Sequence, residues 1–489
     1  MLRHKLQGRS HDPLRSGESC APTTAVIERT TVHFNSVYLW TISLVAALGG
    51  LLFGYDWVVI GGAKPFYEKY FHLTDASQQG WAVSCALIGC LVGAMISGAL
   101  CDKFGRKLLL LLSALLFAVS SLAIAMTSVF HTFVAWRIAG GIAIGLASNL
   151  SPMYIAEIAP AQVRGKLVSV NQLTIVIGIL LAQFMNWIIA KPVPTGASAL
   201  EILNSWNGQT GWRWMFGVTA APSLLFFLGM LSVPESPRWL AQNGQPDKAK
   251  RILQRLGGEA YATQTLEEIK TTLSLNTNAS LRQLLDPKLA GVLLLGITLA
   301  VFQQWCGINV IFNYAADVFA AAGYNVSDIL LNMVITGAVN LVFTFVAIAM
   351  VDGAGRRKLM LFGSAALALI YTALGIGFHM HGRGLYMLLL VVAAIACYAM
   401  SLAPVTWVVI SEIFPNRIRG AAMSAAITSL WIASFGLTYT FPLLNHGLGP
   451  ARTFWIYGAI CLAGFFYILW RLPETKGKTL EEIEQSLVR

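Results

Sequence analysis

Charge is scarce in this chain. Only 12% of its 489 residues are Asp, Glu, Lys or Arg, against roughly 25% in ordinary soluble domains. That shortfall excludes a conventional water-soluble globule. Other absences narrow the class further. No GxxxxGK[ST] phosphate loop occurs, so nothing in the chain points to nucleotide-driven work. The seven cysteines are odd in number and form no CxxC pair, which indicates neither a disulfide framework nor a zinc site. His33, His72, His131, His379, His381 and His446 fall mainly near the ends of apolar runs. No Ser/Asp or metal-ligand array accompanies them, so an enzyme is not indicated. Residues 1–35 are polar and lack the apolar core of a signal peptide. They read either as a mobile cytoplasmic tail or as the product of a start codon placed too far upstream.

What is present is apolar. Hydrophobic residues make up 56% of the chain, gathered in separate runs of about 20, each long enough to cross a hydrocarbon core of roughly 30 Å. The runs predict spans near 36–61, 77–100, 108–127, 131–152, 167–190, 212–232, 289–316, 328–351, 359–380, 385–410, 421–444 and 452–471. An all-α membrane protein with twelve spans follows.

The net charge of +11 belongs to the loops of such a protein, not to a nucleic-acid face. Basic residues gather in alternate loops, at Lys103, Arg106 and Lys107, at Arg164 and Lys166, at Arg356, Arg357 and Lys358, and at Arg417 and Arg419. The positive-inside rule makes these loops cytoplasmic and places both termini inside. Lys64, Lys69, Lys191, Arg383 and Arg452 stand as exceptions on the opposite side.

Asp56 lies within the apolar stretch SLVAALGGLLFGYDWVVIGG, residues 43–62. A carboxylate in mid-membrane costs about 2.5–3.5 kcal/mol to insert even on the lenient scale, and such residues commonly serve proton relays, ion sites or substrate paths. Arg137, in the fourth run, is its natural partner.

The chain repeats itself. AEIAPAQVRGKLVS (156–169) echoes SEIFPNRIRGAAMS (411–424), aligning Glu157 with Glu412 and Arg164 with Arg419. DKFGRK (102–107) echoes DGAGRR (352–357) in nearly the same register, and PESPRWL (234–240) is matched more weakly by PETKGKTL (473–480). Two same-sense halves are expected to hold their substrate between them near the midplane. The expected organisation is a polar tail over 1–35, a six-helix half over 36–232, a cytoplasmic helical linker over 233–288, a second half over 289–472 and a cytoplasmic tail over 473–489. The linker segments PDKAKRILQRLGG and TQTLEEIKTTL carry apolar residues at helical spacing among charges, as short surface helices do.

Each basic loop sets guanidinium groups beside acids. The candidates for a cytoplasmic gate are Asp102, Arg106, Glu157, Arg164, Glu235, Arg238, Asp352, Arg356, Glu412 and Arg419, with Glu474 at the weaker repeat. Arg–carboxylate pairing is directional and geometrically strict. Such pairs are expected to bind the halves together while the cytoplasmic side is closed.

The motifs GGLLFGYD (49–56), WRIAGGIAIGLAS (136–148), VPESPRWL (233–240), FQQWCGIN (302–309), SEIFPNRIRG (411–420) and PETKGKTLEE (473–482), in this order and spacing, resemble the sugar porters of the major facilitator superfamily. The resemblance is to bacterial proton–xylose symporters in particular, from about residue 36 to the C-terminus. The resemblance implies alternating access by two six-helix halves with four cytoplasmic surface helices. It implies a functional monomer in the cell (inner) membrane, a monosaccharide substrate and a proton as coupling ion, with no cofactor, metal or nucleic acid.

The resemblance also assigns positions. It gives Gln172, Gln303, Gln304, Asn309 and Asn340 to the sugar hydroxyls, Trp407 and Trp431 to the sugar ring, and Phe53 and Tyr314 to closure of the pocket. Uncharged amides both donate and accept, which suits hydroxyls. Gln303 and Asn309 share a site only if their helix breaks, and Gly307 permits a break. At two positions where the xylose symporters carry glutamine this chain has Ile179 and Leu430, so its sugar is expected to differ from xylose or to bind more weakly. Asp56 matches an acid found in proton-coupled members and replaced by an amide in several facilitators. An uncoupled facilitator of the same fold is therefore the rival reading. A transporter-like sensor is more distant, because residues 473–489 are short for a signalling tail.

Overall fold

A computed structural model describes residues 34–275, 287–415, 418–476 and 482, with side chains left aside at 273–275, 287–288, 351–352 and 419. Most of the expected N-terminal tail and the end of the C-terminal tail lie outside that range. Five long helices open the fold as spans 1 to 5: Ser36–Tyr70, Ala76–Phe104, Arg106–Met126, Phe130–Ile158 and Arg164–Ile189. Span 6 is Asn207–Ser232 and span 7 Leu289–Asn313. Spans 8 to 10 are Val326–Ala354, Arg356–His379 and Leu385–Ile413. A last continuous stretch, Arg419–Arg471, contains two spans, because Gly449 leaves the helical region there (φ 79°, ψ 164°). With that stretch resolved into spans 11 and 12, the spans among the described residues number twelve.

Their boundaries follow local chemistry. Asp75 caps span 2 by accepting from the backbone N–H of Ser77 and Gln78, and Asn325 caps span 8 through Asp328 N–H. Outward faces stay apolar and unburied, as at Leu108, Leu112, Leu115 and Leu122 along span 3. A bilayer leaves such a face nothing to hide from. Span 1 departs from expectation by continuing through Pro65 to Tyr70 instead of ending near residue 61. That extra length carries Lys64 and Glu68. Below the basic loops run two surface helices, Pro237–Gln242 and Pro246–Leu275, the second broken at Gly258.

Packing within the first six spans relies on close backbone approach. Added Cβ atoms at Gly89, Gly141 and Gly145 would collide with backbone across the span 2–span 4 contact, and at Gly54 and Gly178 across span 1–span 5. Small residues allow helices to gain dispersion contacts that lipid cannot replace. The two sets meet where span 2 packs on span 11 and span 5 on span 8.

Gly105 and Gly355 mark the repeat in three dimensions. They link spans 2 and 3 and spans 8 and 9 at φ 87° and 91°, a region that favours glycine. An added Cβ at Gly105 would strike the Glu235 carboxylate, and one at Gly355 would come within 2.8 Å of Glu474.

Candidate transport site

The buried centre of the first six spans is an ion pair. Arg137 Nη1 donates to both carboxylate oxygens of Asp56, each at 3.0 Å. Asp56 is 4% exposed and Arg137 2%. A desolvated pair of this kind persists because each charge answers the other, and removing either leaves a costly orphan. The face of the Phe216 ring lies 5.5 Å from Arg137 Cζ, and Arg137 Nε has no hydrogen-bond partner among the described residues. Span 1 and span 4 thus bring together the two residues singled out for coupling.

Span 7 breaks as its sequence allows. After Trp305 the chain passes through Gly307 in the left-handed region (φ 86°), then resumes as Ile308–Asn313. The break lets three predicted amides join in a relay. Asn309 donates to Gln304 Oε1, Gln304 Nε2 to Gln303 Oε1 at 2.5 Å, and Gln303 Nε2 to the Tyr398 hydroxyl at 2.7 Å. All four side chains are buried. Tyr398, on span 10, was not singled out in the sequence, where a tyrosine in an apolar run reads as packing.

The remaining predicted residues divide. Gln172 is half-buried and Asn340 buried, and neither side chain has a hydrogen-bond partner among the described residues. Both amides are therefore unspent. Trp431 is 4% exposed and packs against Phe53 and Trp57, with ring centroids 6.1 and 6.0 Å away. Trp57, which nothing in the sequence marks out, also meets Phe53 edge to face at 5.9 Å. This aromatic cluster joins span 1 to span 11. Trp407 stands apart from it and is 38% exposed. Tyr314 is fully buried, donates to Thr438 carbonyl oxygen at 2.6 Å and packs on Phe441. Ile179 and Leu430 are buried apolar surface. A small cavity beside the ion pair is lined by Trp57, Leu87, Cys90, Arg137 and Asn313.

The loop charges are arranged differently from a set of bridges between halves. Arg106 Nη2 meets Glu157 at 3.0 Å and Arg106 Nη1 lies 3.6 Å from Asp102, all within the first six spans. Arg356 Nη2 meets Glu412 at 3.2 Å within the last six. Glu235 accepts from the backbone N–H of Arg106 at 3.0 Å and Lys107 at 3.1 Å, and Glu474 from Arg356 N–H at 2.9 Å. These carboxylates cap the free N-termini of spans 3 and 9, where unpaired N–H groups and the helix dipole both favour an anion. The repeated proline–glutamate motif is thus a helix cap supplied from a distant part of the chain. Burial pushes Glu235 above its ordinary carboxyl range, against the pull of the Ser236, Lys107 and Arg106 amides. Arg164 and Arg238 form no ion pair among the described residues. The side chains of Asp352 and Arg419 lie outside those described.

A family model described as "Sugar (and other) transporter" matches residues 42–487. The chain belongs to the sugar transporter family. It is 40% identical over 485 residues to the D-xylose-proton symporter of Escherichia coli K12, covering 92% of this chain and 96% of that one. It is 39% identical over 449 residues to the arabinose-proton symporter of Bacillus subtilis 168, covering 92% and 95%. Among solved structures it superposes on the inward open conformation of the E. coli xylose transporter XylE with a TM-score of 0.81. Identity there is 38%, over 92% of this chain and all of that one. The transporter is accordingly a multi-pass membrane protein of the major facilitator fold and not an enzyme.

Proposed function

We propose that the transporter is a monosaccharide–proton symporter, taking a pentose or hexose by alternating access, with Asp56 as the coupling acid. The buried Asp56–Arg137 contact carries this reading, and the names of the symporters resembling it agree. A neighbouring cation favours the ionised carboxyl and burial favours the protonated one, so a small rearrangement switches proton affinity. In this reading a proton arriving from outside neutralises Asp56 and frees Arg137. The loaded transporter then reorients, and release of the proton inside re-forms the pair. A potential of 100 mV supplies roughly 2.3 kcal/mol per charge, enough for about 50-fold accumulation at tenfold per 1.4 kcal/mol.

Gln172, Gln303, Gln304, Asn309 and Asn340 are the proposed partners of the sugar hydroxyls, with Phe53, Trp407 and Trp431 against its apolar faces and Tyr314 at the closing side. Ile179 and Leu430 give the pocket fewer polar contacts than a xylose site of the glutamine-bearing kind. The basic-loop face is proposed to be cytoplasmic, with both termini on that side, in the inner membrane of a bacterial cell. The opposite face is the closed one here: Gly61 abuts the Phe312 carbonyl, where an added Cβ would lie 2.6 Å away. The likeness to an inward open structure supports the same orientation.

Uptake of labelled xylose, arabinose, galactose and glucose, with and without a protonophore, tests the reading. Symport predicts accumulation of at least one sugar above its outside concentration, abolished by the protonophore. Equilibration alone, unaffected by the protonophore, would establish a facilitator instead.

A further inference from the structure

The extended end of span 1 holds a buried cation that the sugar site does not use. Lys64 is 3% exposed, and its Nζ donates to Asp317 Oδ1 at 2.9 Å, with Asp317 Oδ2 at 2.8 Å. Asp317 lies in the short helix Ala315–Ala321 that follows span 7, so the pair joins the first six spans to the last six. The same ammonium sits 5.5 Å over the Tyr314 ring, a second contact across that boundary.

Lys64 also has an acid on its own helix. Glu68, one turn on, forms a second ion pair, with Oε1 at 3.0 Å from Nζ, at an angle poorer than that of a directed hydrogen bond. Glu68 is 12% exposed and Asp317 33%. The two acids are therefore unequal. Asp317 takes the directed hydrogen bond and is near water, while Glu68 pairs with the same ammonium from a more buried position.

We propose that Lys64 is the outer latch of the transporter and works by partner release, binding Asp317 and Glu68 together when the outer face is closed and keeping Glu68 alone when it opens. A buried lysine that lost its only partner would resist separation strongly. Glu68 removes that penalty, since at (i, i+4) it travels with Lys64 as a rigid body. Asp317, already a third exposed, finds water when released. The latch thus holds the closed state without making opening prohibitive.

This inference rests on the alternating-access reading, but it concerns only which acid holds Lys64. Two substitutions are predicted to act in opposite senses. Asp317→Asn removes the bond between halves and leaves Lys64 paired with Glu68, so the outer face opens more often. Glu68→Gln leaves Lys64 without an ionised partner on opening, so the face stays closed longer. Exchanging charges with Lys64→Asp and Asp317→Lys keeps the link between halves but leaves two acids on span 1 with no cation of their own when the face opens. That double variant is predicted to open no more readily than the parent.

Hydrogen–deuterium exchange of the purified full-length chain in lipid nanodiscs, without sugar or proton gradient, reads opening directly. Peptides covering residues 57–70 and 308–324 should exchange at least threefold faster in Asp317→Asn and at least threefold slower in Glu68→Gln. Unchanged exchange in both, or changes of the same sign, would overturn the latch. Loss of the folded melting transition in Asp317→Asn would shift the decision to Glu68→Gln and the double variant. Because no sugar or gradient enters this measurement, the latch can fail while symport stands, and the reverse.

Discussion

A single guanidinium nitrogen of Arg137 reaches both carboxylate oxygens of Asp56 at 3.0 Å. The geometry is close but economical, because Nε of Arg137 is left unpartnered in a site only 2% exposed. A pair tied through one nitrogen is easier to release than a two-nitrogen fork, which suits a carboxyl that must gain and lose a proton every cycle.

Arg137→Met should strand Asp56 as a buried acid without its cation. Breaking such a pair costs about 3–5 kcal/mol. The purified variant is expected to melt at a lower temperature, and Asp56→Asn added to it should restore part of the loss. Thermal unfolding of the two single variants, the double variant and the parent measures the coupling.

Tyr398→Phe removes the acceptor that holds Gln303 Nε2 at 2.7 Å. An amide N–H left unpaired in a buried site costs about 1–3 kcal/mol, so the folded protein should lose about that much stability. Thermal unfolding of the purified variant beside the parent checks this, with a lower melting temperature expected and an unchanged melting profile contradicting the relay.

Glu235 is raised by burial although three backbone amides pull it down. A carboxyl whose folded value is raised contributes stability present below its ordinary value near 4.5, and that contribution is lost as pH rises through the raised folded value. Melting followed from pH 4.5 towards neutrality should therefore show a falling component in the parent. Glu235→Gln, which still offers an oxygen to Arg106 and Lys107, should lack that component. An identical slope in both proteins would contradict the assignment.

Gly61→Leu places a side chain where even a Cβ would lie 2.6 Å from the Phe312 carbonyl oxygen. Overpacking of this kind costs about 1–3 kcal/mol, and here the outer face can relieve it by staying open. Sugar binding should persist while uptake falls by about tenfold or more, a factor worth about 1.4 kcal/mol. Equal losses of binding and uptake would point instead to a damaged site.

Much of this was legible because a bilayer makes sequence errors expensive. Long apolar runs announce spans, and Asp56 and Arg137 stand out as charges that lipid does not forgive. The glycine break of span 7 could be read from the spacing of Gln303 and Asn309 about Gly307. Other features were hidden by ambiguity of residue type. Glu235 and Glu474 read as ion-pair partners, and only coordinates show carboxylates capping backbone N–H groups of spans 3 and 9. Nothing in the sequence distinguishes Trp57 or Tyr398 from an ordinary packing aromatic. Lys64 passed as an exception to loop charge bias, because nothing in one sequence shows that its partner Asp317 is 253 residues away.

The most direct test of the central claim is sugar-induced alkalinisation of a lightly buffered suspension of deenergised cells expressing the transporter. Parent and Asp56→Asn are compared, with vector-only cells as control and sugars added singly. The account predicts a pH rise with at least one sugar in the parent and none in Asp56→Asn, while that variant still exchanges preloaded sugar. A pH rise of parental size in Asp56→Asn would contradict the assignment of Asp56 as the coupling acid.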